Sequence, residues 1–267
     1  MTIIEFDKVS KSYEEGKHVI KDISLKIDEG EFVTLVGPSG CGKTTLLKMI
    51  NKMIVSTSGR IIIRGKDITN WDTTDLRRSI GYVIQQVGLF PHMTIGENIG
   101  YVLKITGEDK VKRRLKSLEL IKLVGLDEGY IDKYPRQLSG GQKQRIGVAR
   151  ALAGDPDIIL MDEPFGAVDE IARKKLQDEF KQIHQKVGKT IVFVTHDIHE
   201  ALKLGTRIVL MNGGRIEQSG TDKDLVYRPR SPFVKDFFGI KGYKALLDEN
   251  ELQKEYEAAI LKAEGTK

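Results

Sequence analysis

The chain has 267 residues, 40% of them hydrophobic, and its 43 basic and 38 acidic residues leave a net charge of +5. That is enough apolar content for a folded core, and so mild and mixed a charge speaks against a protein that holds nucleic acid by electrostatics. One cysteine, Cys41, excludes an intrachain disulfide and a cysteine-rich metal site; no run of about 18 apolar residues marks a membrane span, and Met1 to Lys8 lack a signal-peptide pattern, so a cytosolic location is expected.

Thr2 to Val9 alternates imperfectly through Ile4, Phe6 and Val9 and predicts an edge-type strand ending at Tyr13. After a turn at Glu15-Gly16, Ile23, Leu25 and Ile27 recur with the period of a half-buried strand, and Asp28-Glu29-Gly30 turns the chain into the apolar run Phe32 to Val36. Next comes Gly37-Pro38-Ser39-Gly40-Cys41-Gly42-Lys43-Thr44-Thr45, followed by Leu46, Leu47, Met49 and Ile50 at a spacing that suits one helical face. Strand, glycine loop and helix in this order make a phosphate cradle, because the glycines let N–H groups turn inward and the helix start adds its positive dipole end. Lys43 is placed to reach the terminal phosphates of a nucleotide, and the Thr44 hydroxyl to ligate the accompanying Mg²⁺.

Downstream, Ser56 to Gly59 breaks the pattern; Arg60 to Arg64 reads as a strand, Thr73 to Ser79 as a short helix, and Ile80 to Ile84 as a second apolar strand leading to Gln85. Thr94-Ile95-Gly96-Glu97 is a capping-box pattern that opens a helical stretch to Leu123, interrupted at Thr106-Gly107 and stopped by Gly125. Within it Lys110, Lys112, Arg113, Arg114 and Lys116 surround Val111 and Leu115, which reads as a solvated helix face rather than a phosphate patch. From Asp157 strand and helix alternate again: Asp157 to Met161, Glu170 to Val187, Thr190 to Val194, Ile198 to Leu204, then a hairpin through Asn212-Gly213-Gly214. A helical insertion over about 94–153 in an α/β core is the economical fold.

The strand over Ile158 to Met161 ends in Asp162 and Glu163, where the first carboxylate would hold the Mg²⁺ shell and the second would polarise an attacking water. His196 ends the next strand on the same edge and is placed to donate to a γ-phosphate oxygen; Gln85 offers a neutral amide to metal and water. Leu138-Ser139-Gly140-Gly141-Gln142-Lys143-Gln144-Arg145 opens another helix and so makes a second anion site. One nucleotide already occupies Gly37 to Thr45, so the economical arrangement is two chains head to tail, each offering Ser139 to Gln142 to the nucleotide of the other.

In chain order, Tyr13, Gly37 to Thr45, Gln85, Leu138 to Arg145, Leu160 to Glu163, Ala167-Val168-Asp169 and His196 resemble the motif set of ABC transporter ATP-binding subunits, over essentially the whole chain. The resemblance implies a P-loop NTPase of the ABC ATPase type, with a mixed-sheet core, an antiparallel β subdomain and an inserted helical subdomain. It implies ATP and Mg²⁺, with Tyr13 stacked on adenine, Asp169 coupling the two sites across the dimer, and Ser139 and Gly141 gripping the γ-phosphate from the opposite subunit. The segment Ile80 to Ile95 is similar to importer ATPases for quaternary amines such as glycine betaine, carnitine or choline, many of which have phenylalanine at the Ile84 position. In such ATPases this segment receives the coupling helix of the membrane subunit, so Leu89, Phe90, Pro91 and Met93 are expected to line the receiving groove.

The partners so implied are a second copy of the chain, permease subunits and, indirectly, a substrate-binding protein, at the cytoplasmic face of the membrane and without nucleic acid. An ATPase domain is expected over 1–240 and a helical tail over 241–267, its apolar face carrying Leu246, Leu247, Leu252, Tyr256, Ile260 and Leu261, without the regulatory CBS domains of many amine-importer ATPases. An importer of another small solute, a soluble ABC ATPase acting on nucleic acid and an exporter cassette are the alternative readings. Cys41, beside Lys43 at a helix start, is a candidate reactive thiol.

Overall fold

Two kinds of strand build two sheets. In this computed structural model, which describes residues 1–14, 16–85, 87–166 and 170–247, the elements in chain order are β1 (Thr2–Glu14), β2 (Lys17–Asp28), β3 (Phe32–Val36), α1 (Lys43–Ile50), β4 (Ser58–Ile63), β5 (Lys66–Asp67), α2 (Thr73–Arg78) and β6 (Ile80–Val83). The helical stretch follows as α3 (Ile95–Ile99), α4 (Tyr101–Ile105), α5 (Lys110–Leu123) and α6 (Gly140–Leu152). The chain then returns through β7 (Ile158–Asp162), α7 (Glu170–Val187), β8 (Thr190–Val194), α8 (Ile198–Leu204), β9 (Arg207–Asn212), β10 (Arg215–Gly220), α9 (Asp222–Tyr227) and α10 (Pro232–Leu246).

The larger sheet has the order β10-β9-β3-β8-β7-β6 and is parallel except for β10. Its central strands are buried on both faces, which is why they read as continuous apolar runs. One face, with Leu35, Leu160, Val192 and Val194, packs against α1 and the smaller sheet; the other, with Phe32, Ile159, Met161 and Phe193, packs against α7 and the helical stretch. The inserted helices therefore share a core with the sheet.

The smaller sheet is antiparallel with the order β2-β1-β4-β5. This corrects the expectation of an edge strand at the start of the chain, since β1 is flanked on both sides. Irregular register on either side of Val9, with Lys8 at φ 51°, broke the alternation that marks an interior strand.

The Thr94 capping box forms as expected: the Glu97 N–H donates to Thr94 Oγ1 at 3.2 Å, and the Thr94 N–H to Glu97 Oε2 at 2.8 Å. The basic stretch of α5 is a solvated face, and it carries Val111 and Leu115 with it at 68% and 61% exposure; α5 buries Ser117, Leu120 and Ile121 instead. Among the described residues no helix is long and apolar enough to cross a membrane. The expected tail helix beyond 247, and Ala167, Val168 and Asp169, lie outside the described residues.

Candidate nucleotide-binding site

The phosphate loop leaves β3 at its carboxyl end and returns as α1. It turns on Gly37, Gly40 and Gly42, at φ 150°, 76° and 103°. A Cβ on Gly37 would lie 2.1 Å from the Met211 carbonyl oxygen, and one on Gly42 2.5 Å from Ile20 Cδ1, so the loop is pressed against its neighbours where it turns. Pro38, Ser39 and Gly40 form its exposed tip, while Lys43 is buried with Nζ donating to the carbonyls of Gly37 (2.7 Å) and Pro38 (3.0 Å). The ammonium thus sits inside the loop's own curve. No side chain caps α1, so its first N–H groups, at Thr44, Thr45 and their neighbours, keep free donor capacity facing the concavity.

The carboxyl edge of the sheet assembles the acids. Thr44 Oγ1 donates to Asp162 Oδ1 at 2.8 Å, and Lys48 Nζ stands 3.9 Å from Asp162 Oδ2. Tyr82, half-buried on β6, has its phenol pushed up to about 12, first by burial and then by the nearby Asp162 charge. Glu163 turns out of line at φ 45°, its N–H held by the Val194 carbonyl at 3.0 Å, and its Oε2 lies 3.2 Å from His196 Nδ1. That left-handed residue separates the aims of two adjacent carboxylates. The exposed Gln85 brings its amide against Gly166, just after Glu163.

Behind His196 lies a buried lock. Thr195 Oγ1 donates to Glu200 Oε2 at 2.6 Å and accepts the Asp197 N–H at 3.0 Å, while Gln177 Nε2 on α7 reaches Glu200 Oε1 at 3.4 Å. Burial raises the Glu200 carboxyl above its ordinary range. Asp197 caps α8 by accepting from the His199 and Glu200 N–H groups. These contacts fix the backbone on which His196 rides.

Ser139 caps α6 in a reciprocal box with Gln142, and Gly140 and Gly141 form the first turn. Among the described residues no hydrogen bond or ion pair joins Ser139 to Gln142 with Gly37 to Thr45. The reason is the length of α6: Gly147 packs on Val83 and Val87, and Ser139 stands eight residues earlier, about 12 Å further out along the helix. Ser139 and Gly140 are exposed there.

Residues 20–166 match the sequence profile of the ABC transporter family. The chain belongs to that family. It is 54% identical over 237 residues to the carnitine transport ATP-binding protein OpuCA of Listeria monocytogenes, covering 89% of this chain and 60% of that protein. It is 53% identical over 237 residues to the glycine betaine/carnitine/choline transport ATP-binding protein OpuCA of Bacillus subtilis, covering 89% and 62%. The chain thus spans about 60% of the length of these curated relatives. Among solved structures, the dimeric ATP-binding cassette MJ0796 in a post-hydrolysis state with ADP and Pi is similar at 37% identity and a TM-score of 0.72, over 82% of this chain and 98% of that one.

In this ABC cassette the Thr44 hydroxyl and the Asp162 carboxylate are hard oxygen donors in mutual contact beside the loop, which suits Mg²⁺. Among the described residues no group of three or more His, Cys, Asp or Glu side chains could hold a metal. Tyr13 stands 60% exposed near the end of β1, with Lys11 Nζ 5.1 Å from its ring centroid, open for stacking. Cys41 corrects an expectation: its side chain is 4% exposed and packs in the core beneath the loop, so its thiol is not at the mouth of the site.

A groove of about 350 Å³ opens between α3, α4 and α5, lined among others by Met93, Gly96, Tyr101, Lys104 and Arg113. Met93 lines it. Leu89 packs into the second core, Phe90 stacks on Tyr101 at 4.6 Å between centroids, and Pro91 is exposed outside the lining. Sequence reasoning missed Lys48, Tyr82, Thr195 and Glu200. Only Glu200 left a trace, one helical turn after His196.

Proposed function

We propose that this cassette is the ATP-hydrolysing subunit of an importer for a quaternary-amine osmoprotectant, glycine betaine, carnitine or choline. It works at the cytoplasmic face of the membrane as a head-to-tail pair bound to permease subunits, which receive solute from a binding protein. Its ATPase domain extends over 1–240, with the helical subdomain at about 94–153. The observation that carries the reading is the convergence of Thr44, Asp162, Glu163 and His196 on one sheet edge beside the phosphate loop, while Ser139 stands off that edge. The similarity to the carnitine and glycine betaine/carnitine/choline transport ATP-binding proteins supports the solute class.

In this reading Tyr13 carries the adenine, and Gly37 to Thr45 cradle the phosphates with Lys43 turned from its carbonyls toward them. Mg²⁺ held by Thr44, Asp162 and Gln85 would neutralise charge on the terminal phosphates. Glu163 orients and deprotonates the attacking water, and His196 leaves Glu163 to hold the γ-phosphate oxygen. Ser139, Gly140, Gly141 and Gln142 of the second copy close the site, with Asp169 linking the two sites. Met93 and the groove beside it receive the permease.

Glu163→Gln is expected to slow hydrolysis at least 100-fold and to trap an ATP-bound dimer in size-exclusion chromatography, a magnitude typical of removing a general base. Hydrolysis at the parent rate removes Glu163 from that role. Uptake of labelled glycine betaine, carnitine and choline by the cassette assembled with its permease tests the solute; transport of none of them refutes the amine assignment.

A further inference from the structure

The segment between α5 and α6 forms a strap with two edges. At one edge, the Ile95 N–H donates to the Lys133 carbonyl and the Gly96 N–H to the Ile131 carbonyl, each at 2.8 Å. Gly96 also lines the groove, and a Cβ there would stand 2.9 Å from Ile131 Cγ1, so α3 and the strap meet at a separation that only glycine allows without adjustment.

At the other edge stands Tyr130. Its ring packs against the second core, and Lys133 Nζ lies 3.8 Å from its centroid. Its hydroxyl accepts Gln142 Nε2 at 3.0 Å. This leaves Gln142 Oε1 to accept the Ser139 N–H at 2.9 Å, while Ser139 Oγ accepts the Gln142 N–H at 3.3 Å. A flipped amide would set its NH₂ against the Ser139 N–H, donor to donor. The Ser139 N–H therefore fixes the orientation of Gln142, the Tyr130 hydroxyl anchors the amide's other end, and Gln142 closes the cap that holds the Ser139 hydroxyl at the start of α6.

We propose that Tyr130 is a positioning residue for the nucleotide-closing loop: its hydroxyl locks the Gln142 amide and, through it, holds Ser139 in the geometry that meets the nucleotide of a second copy. Tyr130 touches no nucleotide. It acts from the strap whose other edge backs the groove, so the loop is held by the same segment that packs on Gly96. The inference rests on the dimeric ATP-binding reading.

The test is Tyr130→Phe in the Glu163→Gln background, which removes a single oxygen. With saturating ATP, the dimer dissociation constant measured by analytical ultracentrifugation should rise about tenfold, because each of the two loosened loops must be ordered when the dimer closes. Binding of a fluorescent ATP analogue to dilute monomer should stay unchanged, and the melting midpoint should fall by no more than the few degrees that one hydrogen bond carries. Gln142→Ala should weaken the dimer similarly, and Tyr130→Phe should add nothing to it. Unchanged dimerisation in Tyr130→Phe, full additivity with Gln142→Ala, or a fall in melting midpoint and monomer nucleotide binding together overturns the proposal. If Glu163→Gln itself stays monomeric with ATP, the dimeric reading fails and this inference with it; a normal Glu163→Gln dimer left intact by Tyr130→Phe sinks the inference alone.

Discussion

Helix α1 starts from Gly42 at φ 103° with no capping side chain, whereas α6 starts from Ser139, whose hydroxyl accepts the Gln142 N–H in a closed capping box. The first start leaves its backbone donors open and uses left-handed glycines and a buried lysine to shape a concavity. The second satisfies itself and presents only a hydroxyl and a short glycine turn. A self-capped end is stable without a ligand and can be offered across an interface, whereas an uncapped end beneath left-handed glycines keeps donors that suit an anion. In the function proposed above the two loops would therefore divide the work: one would bind, the other close.

The largest test of that division is Lys43→Ala. It removes the cation from the binding loop, and ATPase activity should fall by about 100-fold or more together with nucleotide affinity, read by steady-state turnover and titration of a fluorescent ATP analogue. A matched glycine pair sharpens the contrast. Gly42→Ala forces a Cβ to within 2.5 Å of Ile20 at a left-handed φ and should cost about 1–3 kcal/mol in urea unfolding. Gly141→Ala, with nothing within 4 Å of the added carbon, should fold as well as the parent and weaken only the ATP-dependent dimer. Equal unfolding losses in the two variants would erase the comparison.

Ser139→Ala opens the self-capped end and should lower stability by about 1 kcal/mol while leaving ATP binding to the monomer intact. The smallest effect concerns the lock behind His196. Burial raises the Glu200 carboxyl above its ordinary value of 4.5, so the folded chain holds that proton more tightly than the unfolded one. The resulting contribution is full below the ordinary value and is lost as pH rises through the raised one. Urea midpoints measured upward from about pH 4.5 should therefore fall less steeply in Glu200→Gln than in the parent. An identical slope shows that Glu200 does not titrate in this window.

Much of the site was legible because its parts are local. The positions of Lys43, Thr44, Asp162, Glu163 and His196 follow from where an apolar run stops and a polar residue begins, a pattern within a few residues of chain. What was illegible involves partners far apart in sequence. Lys48 meets Asp162, Thr195 reaches Gln177 through Glu200, and Tyr130 meets Gln142. Cys41 reads from its neighbours in the chain as a candidate reactive thiol, yet its side chain turns into the core below the loop.

The sequence by itself determined the order of the main strands and helices, the glycine loop, the paired carboxylates and the start of α6 at Ser139, because periodicity and glycine placement are written in adjacent residues. Tertiary structure alone decided that β1 is an interior strand, that Phe90 turns onto Tyr101 while Met93 lines the groove, and that Val111 and Leu115 face solvent. Each of these depends on which of two faces finds an apolar partner, and that partner comes from a distant part of the chain.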